Sequence, residues 1–141
     1  MPSRRKGREC ALQMLFQWDL GKDPPEAVEN LFWSNTRWLE DASLRSFANE
    51  LFRGAVAAVE ELDRLIQSHA EHWRLERMPA VDRNILRLSA YELTRCKQTP
   101  PIVVINEALE IARKFSSEES VQFINGLLDS IRKEIETAQP A

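Results

Sequence analysis

The chain has 141 residues, 43% of them hydrophobic and 29% charged, with a formal net charge of −3. This length and composition suit one helical domain with an ordinary core, and no apolar run approaches the roughly 20 residues of a membrane-spanning helix. Net acidity excludes nucleic-acid binding by bulk charge, so any such role needs a local basic face. Cys10 and Cys96 form no CxxC pair and fit a reducing cytoplasm as ordinary thiols. The basic start MPSRRKGREC is followed by no apolar signal core.

Charge is unevenly spread. Arg4, Arg5, Lys6 and Arg8 stand without an acid in the first eight residues, while residues 9–72 carry five bases against twelve acids. Residues 73–133 return to a mild excess, ten bases against eight acids. A basic arm and a mildly basic C-terminal half thus flank an acidic middle.

The elements read as helices from end to end. Residues 5–20 place Ala11, Leu15 and Trp18 on one stripe beside Leu12 and Phe16, and Gly21 is the expected stop. Asp23-Pro24-Pro25 reads as a cap and first turn of a short helix through Phe32. Ser43 is the expected cap of one long helix whose seam is Leu44, Leu51, Ala58 and Leu65, with Phe47, Ala48, Ala55 and Leu62 beside it. From Pro79, residues Val81, Ile85, Leu86, Leu88, Ala90 and Leu93 cover the wide apolar arc of a mostly buried helix. Arg83, Asn84, Arg87, Tyr91 and Arg95 form the opposite polar stripe. Asp82 suits the positive end of that helix, whereas Glu92 falls on the apolar arc and requires a partner from another element.

Pro100-Pro101 then precede a helix with Ile105, Ala108, Ala112 and Phe115 inside and an expected Glu110–Lys114 pair outside. Ser116 and Glu119 stand at capping-box spacing before a last helix with the stripe Val121, Ile124, Leu128, Ile131 and Ile135. The reading is all-α, a compact single-domain bundle of about seven helices over residues 1–141. Trp33 and Trp38 remain unassigned between core and subunit contact, and a homodimer stays open.

No Gly-rich phosphate loop, HExxH or GxSxG occurs, and SIRK (130–133) matches SxxK without its companions. His69 and His72 share a helical face, but two ligands do not make a metal site. No catalytic set is visible, so the chain reads as a binding module that needs no cofactor or metal rather than an enzyme.

One stretch conflicts with its surroundings. FINGLLDSI (123–131) has helical spacing, yet Asn125-Gly126 sits in its middle, where glycine costs about 1 kcal/mol. Close approach of a neighbouring backbone at Gly126 is one expected compensation. Asn125 offers donors and an acceptor, to tie a loop or to read a ligand edge. Phe123 lies off the apolar stripe and points to a surface or groove role.

RRKGRECALQMLFQWDL, VDRNILRLSAYEL with PPIVVINEALEIARKF, and FINGLLDSI resemble, in order and spacing, the bacterial NusB family of transcription antitermination factors. Residues 4–20 and 80–131 carry the resemblance. The N-terminal region of ribosomal-RNA cytosine methyltransferases is similar too, but the end of this chain at Ala141 favours the free factor. The resemblance implies an RNA-binding helical domain that recognises single-stranded boxA RNA in nascent ribosomal RNA transcripts. It implies action with NusE, a small-subunit ribosomal protein, in an RNA polymerase antitermination complex in the cytoplasm, with no membrane involved.

The expected RNA contacts are Arg4, Arg5, Lys6, Arg8, Phe16, Phe123 and Asn125. Cations hold phosphates, and rings stack on splayed bases. Phe16 stands where the family usually has tyrosine and loses that hydroxyl. The expected NusE contacts are Asp82, where the family commonly has glutamate, Arg83 and Arg87. Glu118 and Glu119 border the Phe123 region and are expected to tune binding. The other reading is a helical protein–protein adaptor with an idle basic arm.

Overall fold

The computed structural model describes residues 4–36 and 41–138. Among these are seven α-helices, one short 3-10 turn and no strand, so the chain is all-α as its periodicity requires. The helices pack as two compact units, Met1–Ala57 and Ala58–Ala141.

The first unit holds α1 (Arg4–Gly21), α2 (Pro25–Ser34) and α3 (Ala42–Ala57). Helix α1 lies along α3, with Ala11, Met14 and Leu15 of α1 and Ala48, Leu51 and Phe52 of α3 buried. Trp33 of α2 is buried as well, and its indole nitrogen donates to Asn49 Oδ1 at 2.7 Å. That bond resolves Trp33 as core with a satisfied polar tip; Trp38 lies outside the described residues. The Arg53 guanidinium forks onto Glu29 with two 2.7 Å bonds and ties α3 to α2.

Helix α1 ends at Gly21 as expected, with the left-handed turn on Lys22, φ 59°. Other helix ends differ from the sequence reading. Helix α3 is capped by Asp41, whose carboxylate accepts from the Leu44 amide at 3.0 Å, and not by Ser43. The expected long helix is two: α3 ends at Ala57, Ala58 leaves helical geometry at φ −102°, ψ 12°, and α4 starts at Val59. Of the expected seam, Leu44, Leu51 and Ala58 are buried, whereas Leu65 is half-buried and Leu62 and Ile66 are core residues of α4.

The second unit holds α4 (Val59–Ala70), the 3-10 turn Leu75–Arg77, α5 (Ala80–Arg95), α6 (Pro101–Phe115) and α7 (Glu118–Ala138). Helix α5 is central: it packs on α4, α6 and α7. Its Ile85, Leu86, Leu88 and Leu93 are buried, each worth about 1.5–3 kcal/mol. Because three helices surround α5, its polar stripe is not outward as expected. Asn84 and Arg87 are buried with the apolar residues, and Arg83 is half-buried. Glu92 is 3% exposed and is not without a partner.

Elsewhere in the unit, Ile105, Ala108 and Ala112 face the core from α6, while Phe115 is exposed. Glu110 pairs with Arg113 at 2.7 Å, and Lys114 lies over the Phe115 ring. The cap of α7 is Ser117, whose hydroxyl accepts from the Ser120 amide at 3.1 Å. Ser116, the expected cap, is otherwise engaged: its hydroxyl donates to Asp82. His69 meets the Ser130 hydroxyl at 2.6 Å and approaches Glu134 at 3.3 Å, which joins α4 to α7.

Candidate nucleic-acid interface

The first turns of α1 carry the basic arm as ordered helix. Helix α1 has no acid in its first turn, so its positive end is not neutralised locally. Arg4 and Arg5 are exposed, and Lys6 is half-buried with Glu9 3.6 Å away. Arg8 is only 5% exposed. Its guanidinium carbon lies 5.6 Å from the Phe47 ring centroid, and that of Arg4 lies over the same ring at 4.3 Å. Gly7 lies between them. A Cβ there would fall 2.6 Å from Phe47 Cδ2, so only glycine lets the ring sit this close. Phe47 thus organises the arm through packing and cation–π attraction, the latter worth about 0.5–1 kcal/mol at exposed sites.

The arm therefore divides. Arg4 and Arg5 present charge to solvent, whereas Arg8 is a structural cation whose stem and head are covered. Phe16, farther along α1, is half-buried and retains accessible ring surface.

In the second unit, Phe123 is half-buried on α7, and Asn125 and Gly126 are both exposed. A Cβ at Gly126 would meet nothing within 4 Å. The expected close approach of a neighbouring backbone is therefore corrected: open space, not a packing joint, surrounds Gly126. Phe123 meets Trp73 edge to face, with centroids 6.3 Å apart and planes at 68°. Trp73 belongs to the segment between α4 and the 3-10 turn and has no place in any helical stripe. Its role was invisible to periodicity; a tryptophan between two helical patterns was the only signal.

The three α5 residues expected at a partner surface are largely inside the unit. Asp82 is 3% exposed and accepts from the hydroxyls of Ser116 at 2.6 Å and Ser120 at 2.5 Å. Arg87 is 6% exposed and forks onto Asp63 with two 2.8 Å bonds, with a further bond to Asn84 Oδ1 at 3.0 Å. Arg83 donates to the Leu75 and Met78 carbonyls at 3.3 and 3.2 Å and is the most accessible of the three. Asp82 and Arg87 therefore hold α5 against its neighbours, and Arg83 ties its start to the 3-10 turn. Among the described residues, no group of three or more His, Cys, Asp or Glu side chains is arranged to hold a metal ion. No helix there is long and apolar enough to cross a membrane.

The NusB family model matches residues 5–133. The chain belongs to the NusB family. A curated relative, the transcription antitermination protein NusB of Koribacter versatilis (strain Ellin345), is 58% identical over 134 residues. That match covers 95% of this chain and 91% of the relative. Among solved structures, NusB of T. maritima superposes with a TM-score of 0.84 at 36% identity, over 94% of this chain and 92% of that one. A crystal structure of the antitermination factors NusB and NusE in complex with double-stranded RNA gives 0.85 at 28% identity, over 93% and 96%. The function of this NusB-family chain is transcription antitermination, and it is not an enzyme.

Proposed function

We propose that this chain binds a short unpaired boxA RNA element together with NusE and, in the cytoplasm, joins an RNA polymerase antitermination complex. The observation that carries the RNA half is the exposed Arg4–Arg5 pair at the acid-free N-terminus of α1, with Lys6 beside it. Cations and a positive helix end converge there on one place for phosphate. Phe16, Phe123 and Asn125 are the proposed base contacts, and Arg8 acts by fixing Phe47 beneath the arm. For NusE, Arg83 is the proposed direct contact, while Asp82 and Arg87 set the position of α5. The solved relative that holds both NusE and RNA supports this pairing. We read residues 1–141 as one NusB-like domain, since the family match crosses from one unit into the other.

The test is a titration of labelled boxA RNA with the full chain, with and without NusE. Scrambled and duplex RNA serve as controls. Binding should favour the single-stranded boxA sequence, strengthen with NusE, and weaken when Arg4 and Arg5 are both changed to alanine. Absence of an RNA-dependent signal at low salt, or an unaffected double variant, would leave a protein–protein adaptor as the better account.

A further inference from the structure

Trp73 is 58% exposed, the most exposed aromatic side chain among the described residues. Its edge-on contact with Phe123 leaves indole surface open to solvent. The backbone that carries the ring is nevertheless held in place. The Trp73 amide donates to the Ala70 carbonyl at 3.1 Å. The Gln67 side chain closes the loop from both sides: its amide nitrogen donates to the Trp73 carbonyl at 2.7 Å, and its oxygen accepts from the Leu75 amide at 2.8 Å. A preorganised exposed ring loses little freedom when it binds a flat partner.

Gly126 adds an independent observation. It lies one turn beyond Phe123 on the same side of α7, and the space beside it is open. Glycine weakens a helix interior, and no group of the described residues occupies the space it leaves. Gln122, one turn before Gly126 on the same side of α7, is exposed, and its side-chain amide carries both donors and an acceptor. The exposed Arg74 follows Trp73 directly. Rings beside an amide and a cation match an unpaired nucleotide better than an apolar protein surface.

We infer that Trp73 and Phe123 form a two-ring stacking platform for an unpaired nucleobase. The bare backbone at Gly126 admits the strand, and Gln122 meets a base edge. This rests on the RNA-binding reading above and adds Trp73, in the loop after α4, to the proposed base contacts of the second unit.

The test uses the full chain and two single-stranded boxA RNAs, one intact and one with an abasic position scanned along it. Trp73→Ala should weaken intact RNA about 5- to 150-fold, the range for losing one stacked base. Trp73→Phe should recover most of that loss. At one abasic position, wild type and Trp73→Ala should bind alike. Gly126→Leu should weaken RNA while leaving the melting temperature equal or higher, a combination that loss of folding cannot produce. Full RNA affinity in both Trp73→Ala and Gly126→Leu would overturn the platform and leave the RNA reading intact. Loss of NusE binding with RNA affinity unchanged would reassign the surface to protein. No binding of intact RNA by wild type would remove both.

Discussion

At the residue scale, the same side-chain type has different work according to burial. Arg4 and Arg8 flank one phenylalanine, yet Arg4 is exposed and Arg8 is covered. Neutralising Arg4 removes a solvent-facing charge, while truncating Arg8 also removes packing. Cys10 shows the same dependence on surroundings. Burial pushes its thiol from 9.0 up to about 11, with Lys6 pulling down and Glu9 adding a smaller push. Near pH 8 it has about one hundredth of an ordinary thiol's thiolate, the reactive form. Alkylation of the native chain, followed by mass spectrometry, should label the half-exposed Cys96 and spare Cys10 until denaturant is added. The stability linked to Cys10 has a defined pH window. The unfolded thiol ionises first as pH passes 9, so this contribution is full below that value. It is lost as pH rises through about 11. Denaturant midpoints should therefore fall from pH 9 to 11 more steeply in wild type than in Cys10→Ala.

At the element scale, α5 is held by charges as well as by its apolar arc. Arg87 reaches Asp63 on α4, and Asp82 takes hydroxyls from Ser116, just before α7, and Ser120 of α7. A buried ion pair adds little over a well-packed apolar pair, but removal of one partner strands the other. Asp63 is partly exposed, which softens that penalty. Arg87→Ala should cost about 2–4 kcal/mol by urea unfolding, and the Asp63→Ala/Arg87→Ala double variant should cost less than the sum of the single changes. A single-variant loss below about 0.5 kcal/mol, the usual size for surface changes, would show the pair to be dispensable. On α7, Arg132 and then Lys133 hold the exposed Asp129 carboxyl below its ordinary range. This network lies along one helix and is screened by water and salt, so it adds local helix stability and little else.

At the scale of the whole molecule, a net charge of −3 opposes a polyanion, and the acidic middle of the chain strengthens that opposition. RNA affinity must then come from close contacts rather than from a long-range field, because exposed charges are screened beyond about 10 Å at 0.1 M salt. The slope of log affinity against log salt reports those contacts. Arg4→Gln and Arg5→Gln should each reduce its magnitude by about 0.7 for single-stranded RNA, whereas Arg87→Met, at a buried position, should leave the slope unchanged. Titrations at four or more salt concentrations check this. Equal slopes for wild type and both arm variants would place the phosphate contacts elsewhere.

The sequence by itself determined the all-α class, the order of the helices, most core-facing residues and the family. Each of these follows from patterns within a few residues, since helical periodicity repeats every 3.6 positions, or from ordered motifs along the chain. Only the tertiary structure decided the partners of the polar groups. Arg87 and Asp63 are 24 positions apart, and Asp82 and Ser116 are 34 apart. Trp73 and Phe123 likewise meet across the second unit. Helix ends fell between the two cases. Asp41 and Ser117 compete with adjacent cap formers, and at α7 the Ser116 hydroxyl is already engaged by Asp82. Asn84 and Arg87 of the α5 polar stripe are buried while Arg95 stays exposed: a stripe records which residues share a face, but the helices packed around it decide which part of that face meets water.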